Sequence, residues 1–166
     1  EGYGLFFYSE VGSSRVEFSS FNDNFNSTGL SIINKGAIYL NSIQANGNGS
    51  SGLYLSNFFY SHEAEEYIGS GSVTLTSPKS GGWQLTNGFR NNGDTGVTIY
   101  SRGAVTVANV EIVDNGGLGL KIDNTYGNGG VTLNNMTNNR INWINGNSGV
   151  GIFIRSNGAV KLANTQ

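Results

Sequence analysis

Short apolar–polar alternations, a repeat near 24 residues and a fixed register of apolar columns across the repeats predict an all-β chain. They predict it wound as a right-handed parallel β-helix (a β-solenoid) of about seven rungs, with three short strands in each. The alternation is plain at Val105-Thr106-Val107, Leu120-Lys121-Ile122 and Ile152-Phe153-Ile154, bounded by Gly or Asn, and no segment carries a convincing helical period. Glycine (26 residues), asparagine (24), serine (19) and threonine (11) make up almost half of the 166 residues. That polarity would suit a solvated coil, but 37% hydrophobic and 11% aromatic residues are too many for one. The length fits a single domain, residues 1–166, and neither end shows an amphipathic capping helix.

The first strand of each unit follows a Gly-x-apolar-x-apolar motif. It stands at Gly36-Ala37-Ile38-Tyr39-Leu40, Gly103-Ala104-Val105-Thr106-Val107, Gly129-Gly130-Val131-Thr132-Leu133 and Gly158-Ala159-Val160-Lys161-Leu162. Weaker copies start at Ser14, Ser56 and Gly81, so the seven starts are 22, 20, 25, 22, 26 and 29 residues apart. Aligned, these strands turn inward Val16/Phe18, Ile38/Leu40, Phe58/Tyr60, Trp83/Leu85, Val105/Val107, Val131/Leu133 and Val160/Leu162. The second strand follows Gly-apolar-x-apolar from Gly4, Gly29, Gly52, Ser72, Gly96, Gly119 and Gly151. Its inward pairs are Leu5/Phe7, Leu30/Ile32, Leu53/Leu55, Val73/Leu75, Val97/Ile99, Leu120/Ile122 and Ile152/Ile154. Two residues past the first strand runs a polar column of Ser20, Ser42, His62, Asn87, Asn109, Asn135 and Asn164. A weaker third strand follows near Phe21, Ile43, Phe89, Val110 and Met136.

Stacked parallel strands explain such columns. Each rung sits on the last at about 4.8 Å, so equal offsets put like side chains above one another. An inward Asn or Ser at the turn pairs with its counterpart one rung away and caps buried turn amides, which must find partners. The right hand follows from the general crossover preference. The competing fold is an antiparallel sandwich, for which eight Asn-Gly pairs speak. Hairpins, however, need strands every 8–12 residues and give no reason for a 24-residue register.

The units Gly-Ala-Val-Thr-Val-Ala-Asn-Val (103–110) and Gly-Leu-Gly-Leu-Lys-Ile (117–122) resemble the right-handed parallel β-helix repeats of large bacterial surface proteins, in the pectate-lyase-like superfamily. The resemblance spans nearly the whole chain at the level of the repeat. It implies the fold and an exported, extracellular or cell-surface setting. That superfamily includes adhesins, phage tailspikes and polysaccharide lyases and hydrolases, and fold alone does not choose among them.

Several classes of function are disfavoured. No cysteine is present for a disulfide framework or a thiolate metal site. A net charge of −2 argues against nucleic acid and anionic membrane surfaces. No apolar run approaches the roughly 18 residues of a membrane span. Without a starting Met or signal peptide the chain reads as mature or excised. Carbohydrate cleavage on this fold needs clustered outward carboxylates. The expected outward columns are Glu17, Tyr39, Phe59, Gln84, Thr106, Thr132, Lys161 and Phe6, Ser31, Tyr54, Thr74, Thr98, Lys121, Phe153, with one carboxylate between them. No catalytic residue, cofactor or metal is therefore expected. The run His62-Glu63-Ala64-Glu65-Glu66 reads as a solvated turn rather than a cation site. The glycines are turn residues, not a phosphate loop.

Three features point to partners. Outward Phe6, Tyr39, Tyr54, Phe59 and Phe153 suit stacking on a surface glycan or on another chain. Sequons at Asn26 and Asn48 are expected to project from one edge as glycosylation sites, while Asn135 lies inward. At the ends, Leu5 and Phe7 and, opposite, Val160 and Leu162 are expected to form an interface for stacking copies head to tail. The expected function is thus structural: the repeating subunit of an extracellular filament or surface appendage. The alternatives are a segment of a large adhesin, or a polysaccharide-binding or polysaccharide-cleaving module.

Overall fold

The computed structural model describes residues 3–77, 86–134 and 141–166, and among these every regular element is a strand. Three sheets form. The first is wholly parallel, with its strands in chain order: β1 (Leu5–Ser9), β3 (Leu30–Asn34), β5 (Leu53–Ser56), β10 (Val97–Tyr100), β13 (Leu120–Asn124) and β16 (Ile152–Ser156). The second, also parallel, has two halves. One holds β2 (Ser14–Ser20), β4 (Ile38–Gln44), β8 (Val73–Thr76), β11 (Val105–Ala108), β14 (Val131–Asn134) and β17 (Val160–Leu162). The other holds β9 (Asn87–Arg90), β12 (Val110–Val113) and β15 (Trp143–Asn145), and β4 runs through both. The third is an antiparallel hairpin of β6 (Phe59–Ser61) and β7 (Glu66–Ile68).

We use "tier" for one strand of the first sheet and the second-sheet strands that follow it. Like residues stack between tiers. Leu53 pairs with Leu30 and Val97, and Val97 with Leu120. Val105 pairs with Val73 and Val131, and Ile112 with Phe89 and Ile144. The inward members of the middle tiers form one core, in which Leu30, Ile32, Leu53, Leu55, Val97 and Ile99 meet Ile38, Leu40, Val73, Leu75, Val105 and Val107. All are fully or almost fully buried.

The turn between the halves of the second sheet needs a residue with positive φ, at Ser42 (57°), Asn109 (55°) and Asn164 (52°). A second such turn closes the tier at Asp23, Asn91 and Asp114 (each 56°). Asn and Asp tolerate this region because their short polar side chains bond locally. Phe18 (φ 48°) fills the first position in the opening tier.

Several expectations need correcting. Ser14/Val16, not Val16/Phe18, pair with Ile38/Leu40, and Phe18 is 64% exposed at the bend. Val73/Leu75 belong to the second sheet, stacked between Ile38/Leu40 and Val105/Val107, not to the first. Phe59 and Tyr60 lie in the hairpin rather than in a stacked strand, with Phe58 just before it. Trp83, Leu85 and Met136 lie outside the described residues. The first sheet therefore has six strands among the described residues, where seven were expected. The physical reason is an insertion that mimics a repeat. The hairpin sits between β5 and β8, and the next first-sheet strand comes 44 residues after Leu53, close to two ordinary repeats. A short hairpin also alternates with period two, so its residues passed for another rung.

Candidate functional site: two uncovered faces of a polar-laddered stack

A ladder of asparagines runs up one corner of the tiers. Asn24 Nδ2 donates to Asn48 Oδ1 at 2.7 Å, Asn48 to Asn92 at 2.9 Å, Asn92 to Asn115 at 2.8 Å and Asn115 to Asn147 at 2.8 Å. At each step the backbone N–H of the same donor residue bonds that Oδ1 at 3.1 Å. Asn92 and Asn115 also donate to the carbonyls of Ala45 and Phe89, both at 3.0 Å. The ladder thus satisfies turn groups that the core would otherwise bury unpaired. Glycines make room for it. A Cβ on Gly96 would lie 2.7 Å from Asn115 Nδ2 and 2.5 Å from Ile112 Cγ2.

A second polar column, Ser9, Asn34, Asn57, Ser101, Asn124 and Ser156, follows the first-sheet strands. Asn34 Nδ2 donates to Ser14 Oγ (2.6 Å), and its Oδ1 accepts from Gly36 N–H (2.6 Å). Asn57 binds Ser101 Oγ (2.9 Å), the carbonyl of Gly71 and the N–H of Arg102 (2.9 Å). It so ties together the points where the hairpin segment leaves and returns.

The expected polar column is only partly assembled. Ser42, Asn109 and Asn164 share the bend, and the register sets Ser77 between Ser42 and Asn109, with Ser77 Oγ 3.3 Å from Asn109 O. Asn87 stands one step later, buried opposite Val110, where its Oδ1 accepts the Ile43 N–H at 2.9 Å. Ser20 pairs with Gln44 further along the strand, and His62 is exposed beside the hairpin tip. Asn135 lies outside the described residues.

Of the two sequons expected to project, Asn26 is exposed, but Asn48 is buried in the ladder with both side-chain atoms bonded, so the pair does not project from one edge.

The outward aromatics divide among three surfaces. Phe6, Tyr54 and Phe153 occupy one column of the first sheet, with Ser31, Thr98 and Lys121 between them. Tyr54 meets Tyr100 (5.8 Å between ring centres), and burial raises its pKa. Tyr39 lies in a separate column between Arg15 and Thr74, continued by Thr106, Thr132 and Lys161, so that Arg15 rather than the expected Glu17 precedes it and Glu17 pairs with Asn41. Phe59 sits on the hairpin against Tyr8 (5.3 Å), with the Lys35 ammonium 5.4 Å from its ring centre.

Charges pair locally. Arg15 chelates Glu17 at 2.8 and 2.9 Å and holds its carboxyl below the usual range, and Arg90 grips Glu111 at 2.7 Å. Among the described residues no three His, Asp or Glu side chains lie close enough to share a cation.

The two ends of the stack stand apart. Leu30, Ile32, Val131 and Leu133 are fully buried. Their column neighbours are not: Leu5 is 38% exposed, Phe7 42%, Val160 48% and Leu162 54%. Among the described residues, each end thus presents a pair of core residues and a parallel strand edge without a partner strand. No family model, curated protein or solved structure matches this chain.

Proposed function

We propose that the chain is a right-handed parallel β-helix and that it serves as the repeating structural subunit of an extracellular filament or surface appendage, its copies stacked head to tail. The carrying observation is the exposure of Leu5 and Phe7 on one face and of Val160 and Leu162 on the other, in columns that are fully buried inside the stack. The parallel order of both sheets supports the winding. The near-universal hand of parallel crossovers supports its sense. A bare strand edge beside apolar side chains is a template for pairing. Because the two faces differ, copies joined by them form a heterologous contact that grows rather than closes. The resemblance to bacterial surface repeats supports the location. The same faces would suit a longer adhesin whose further rungs cover them.

Sedimentation of the 166-residue chain over a wide concentration range tests the proposal. We expect concentration-dependent rods, visible by electron microscopy. Leu162→Lys places a charge in the contact, and loss of about 1.5–3 kcal/mol of apolar burial should raise the assembly midpoint tenfold or more. A chain that stays monomeric at the highest concentrations overturns the proposal.

A second reading is glycan binding along the first sheet, favoured by the Tyr54–Tyr100 ring pair with the Lys121 ammonium 2.8 Å from the Tyr100 hydroxyl. Glycan-array binding that disappears with Tyr54→Ala would support it, and an array without signal would remove it.

A further inference from the structure

Stacking by itself does not fix the register in which one copy meets the next. Resting on the head-to-tail reading above, we infer a single register, in which β1 of one copy lies on β16 of another so that Phe6 covers Phe153 and the carbonyl of Gly4 seats over Gly151.

The tiers themselves supply the template. At each step of the first sheet, the residue after the glycine donates its N–H to the carbonyl of the next tier's glycine. Leu5 bonds Gly29, Leu30 bonds Gly52, Leu53 bonds Gly96, Val97 bonds Gly119 and Leu120 bonds Gly151, over 2.8 to 3.1 Å. The next donor in that series is Ile152, and the matching acceptor on a second copy is Gly4. The second sheet repeats the pattern. Ser14, Val73 and Val131 donate to Ala37, Ala104 and Ala159 at 2.9 Å, which leaves the Val160 N–H for the Ser13 carbonyl of the second copy.

The glycines impose the same fit sterically. A Cβ added at Gly4, Gly29, Gly52, Gly96 or Gly119 would stand only 2.4 to 3.0 Å from the carbonyl oxygen of the glycine one tier on. At Gly151 a Cβ would meet only Ile144 Cγ2, at 3.8 Å. That side of Gly151 is the notch a second copy's Gly4 carbonyl would fill. The side chains agree: Leu5/Phe7 fall on Ile152/Ile154, Ser14/Val16 on Val160/Leu162, and Ser9 on Ser156. Phe6 and Phe153 are the terminal members of one outward column and are 47% and 39% exposed.

The lack of native cysteine makes the register directly measurable. In a Phe6→Cys, Phe153→Cys double variant the two thiols are five tiers apart within one chain, about 24 Å, too far to bridge. Across the inferred junction their Cα atoms lie about 4.8 Å apart, inside the disulfide range. Oxidation of assembled protein should give a covalent ladder on non-reducing gels. A Phe6→Cys, Arg155→Cys control, displaced two residues along the strand, should give at least tenfold less. Gly151→Ala should melt like the wild type yet assemble at least tenfold less well, because its methyl group occupies the notch. Wild-type rods with equal cross-linking in both double variants, or undiminished assembly of Gly151→Ala, overturn the register and leave stacking intact. A wild-type chain that never assembles overturns both.

Discussion

Val107→Asp should yield no folded protein, whereas its neighbour Thr106→Asp should fold. Val107 is fully buried, stacked between Leu75 and Leu133 in the core. A carboxylate there has no described cation nearby, so it must either lose its hydration or take up a proton at neutral pH. Either course costs several kcal/mol, comparable to the whole stability of a domain. Thr106 points the other way, between Thr74 and Thr132 on the outward column. Aspartate at that position faces water and loses only β-propensity, about 1 kcal/mol or less. Circular dichroism melts of the two variants decide the matter. Equal behaviour would mean that the faces of β11 are wrongly assigned.

The second large effect is expected at Asn92. Its side chain accepts from the Asn48 N–H (3.1 Å) and Nδ2 (2.9 Å) and donates to Asn115 Oδ1 (2.8 Å) and the Ala45 carbonyl (3.0 Å). Asn92→Ala removes all four bonds at once and strands two donors of buried Asn48 and one backbone carbonyl. At about 1–3 kcal/mol for each stranded group, the loss is roughly 3–9 kcal/mol. For a chain of this size that lowers the melting temperature by about 6–36 °C. Asn128→Ala changes an exposed asparagine outside the ladder and should stay within about 0.5 kcal/mol of the wild type. If the two variants melted alike, the asparagine column would be incidental to stability.

How much of this was legible follows from what repeats and what does not. The first-sheet strands could be read directly, because Leu30, Leu53, Val97 and Leu120 each follow a glycine and head an apolar–x–apolar pair. The four strong second-sheet copies at Ile38, Val105, Val131 and Val160 were equally readable. The insertion was not, since its length completes an extra period and its strands alternate like the others. That error displaced Phe58 and Tyr60, and with them Val73 and the polar column at His62 and Asn87. The asparagine ladder was missed although its signal was present. Asn48, Asn92, Asn115 and Asn147 stand four residues ahead of Gly52, Gly96, Gly119 and Gly151, and Asn24 stands five ahead of Gly29. In so Asn-rich a chain these looked like ordinary turn residues, and Asn48 like a glycosylation site. The corner column of Ser9, Asn34, Asn57, Ser101, Asn124 and Ser156 was likewise visible two places after each inward pair.

The clasp at Asn57 carries a consequence for how such a chain can vary. Its amide holds Gly71 on one side of the excursion and Ser101 and Arg102 on the neighbouring level. The path therefore resumes where it departed, whatever lies between. Length at that corner is uncoupled from the axial spacing, so segments can be lengthened, trimmed or exchanged there without a phase error propagating to the levels above. Decoration and scaffold are free to evolve, or to be engineered, as separate parts.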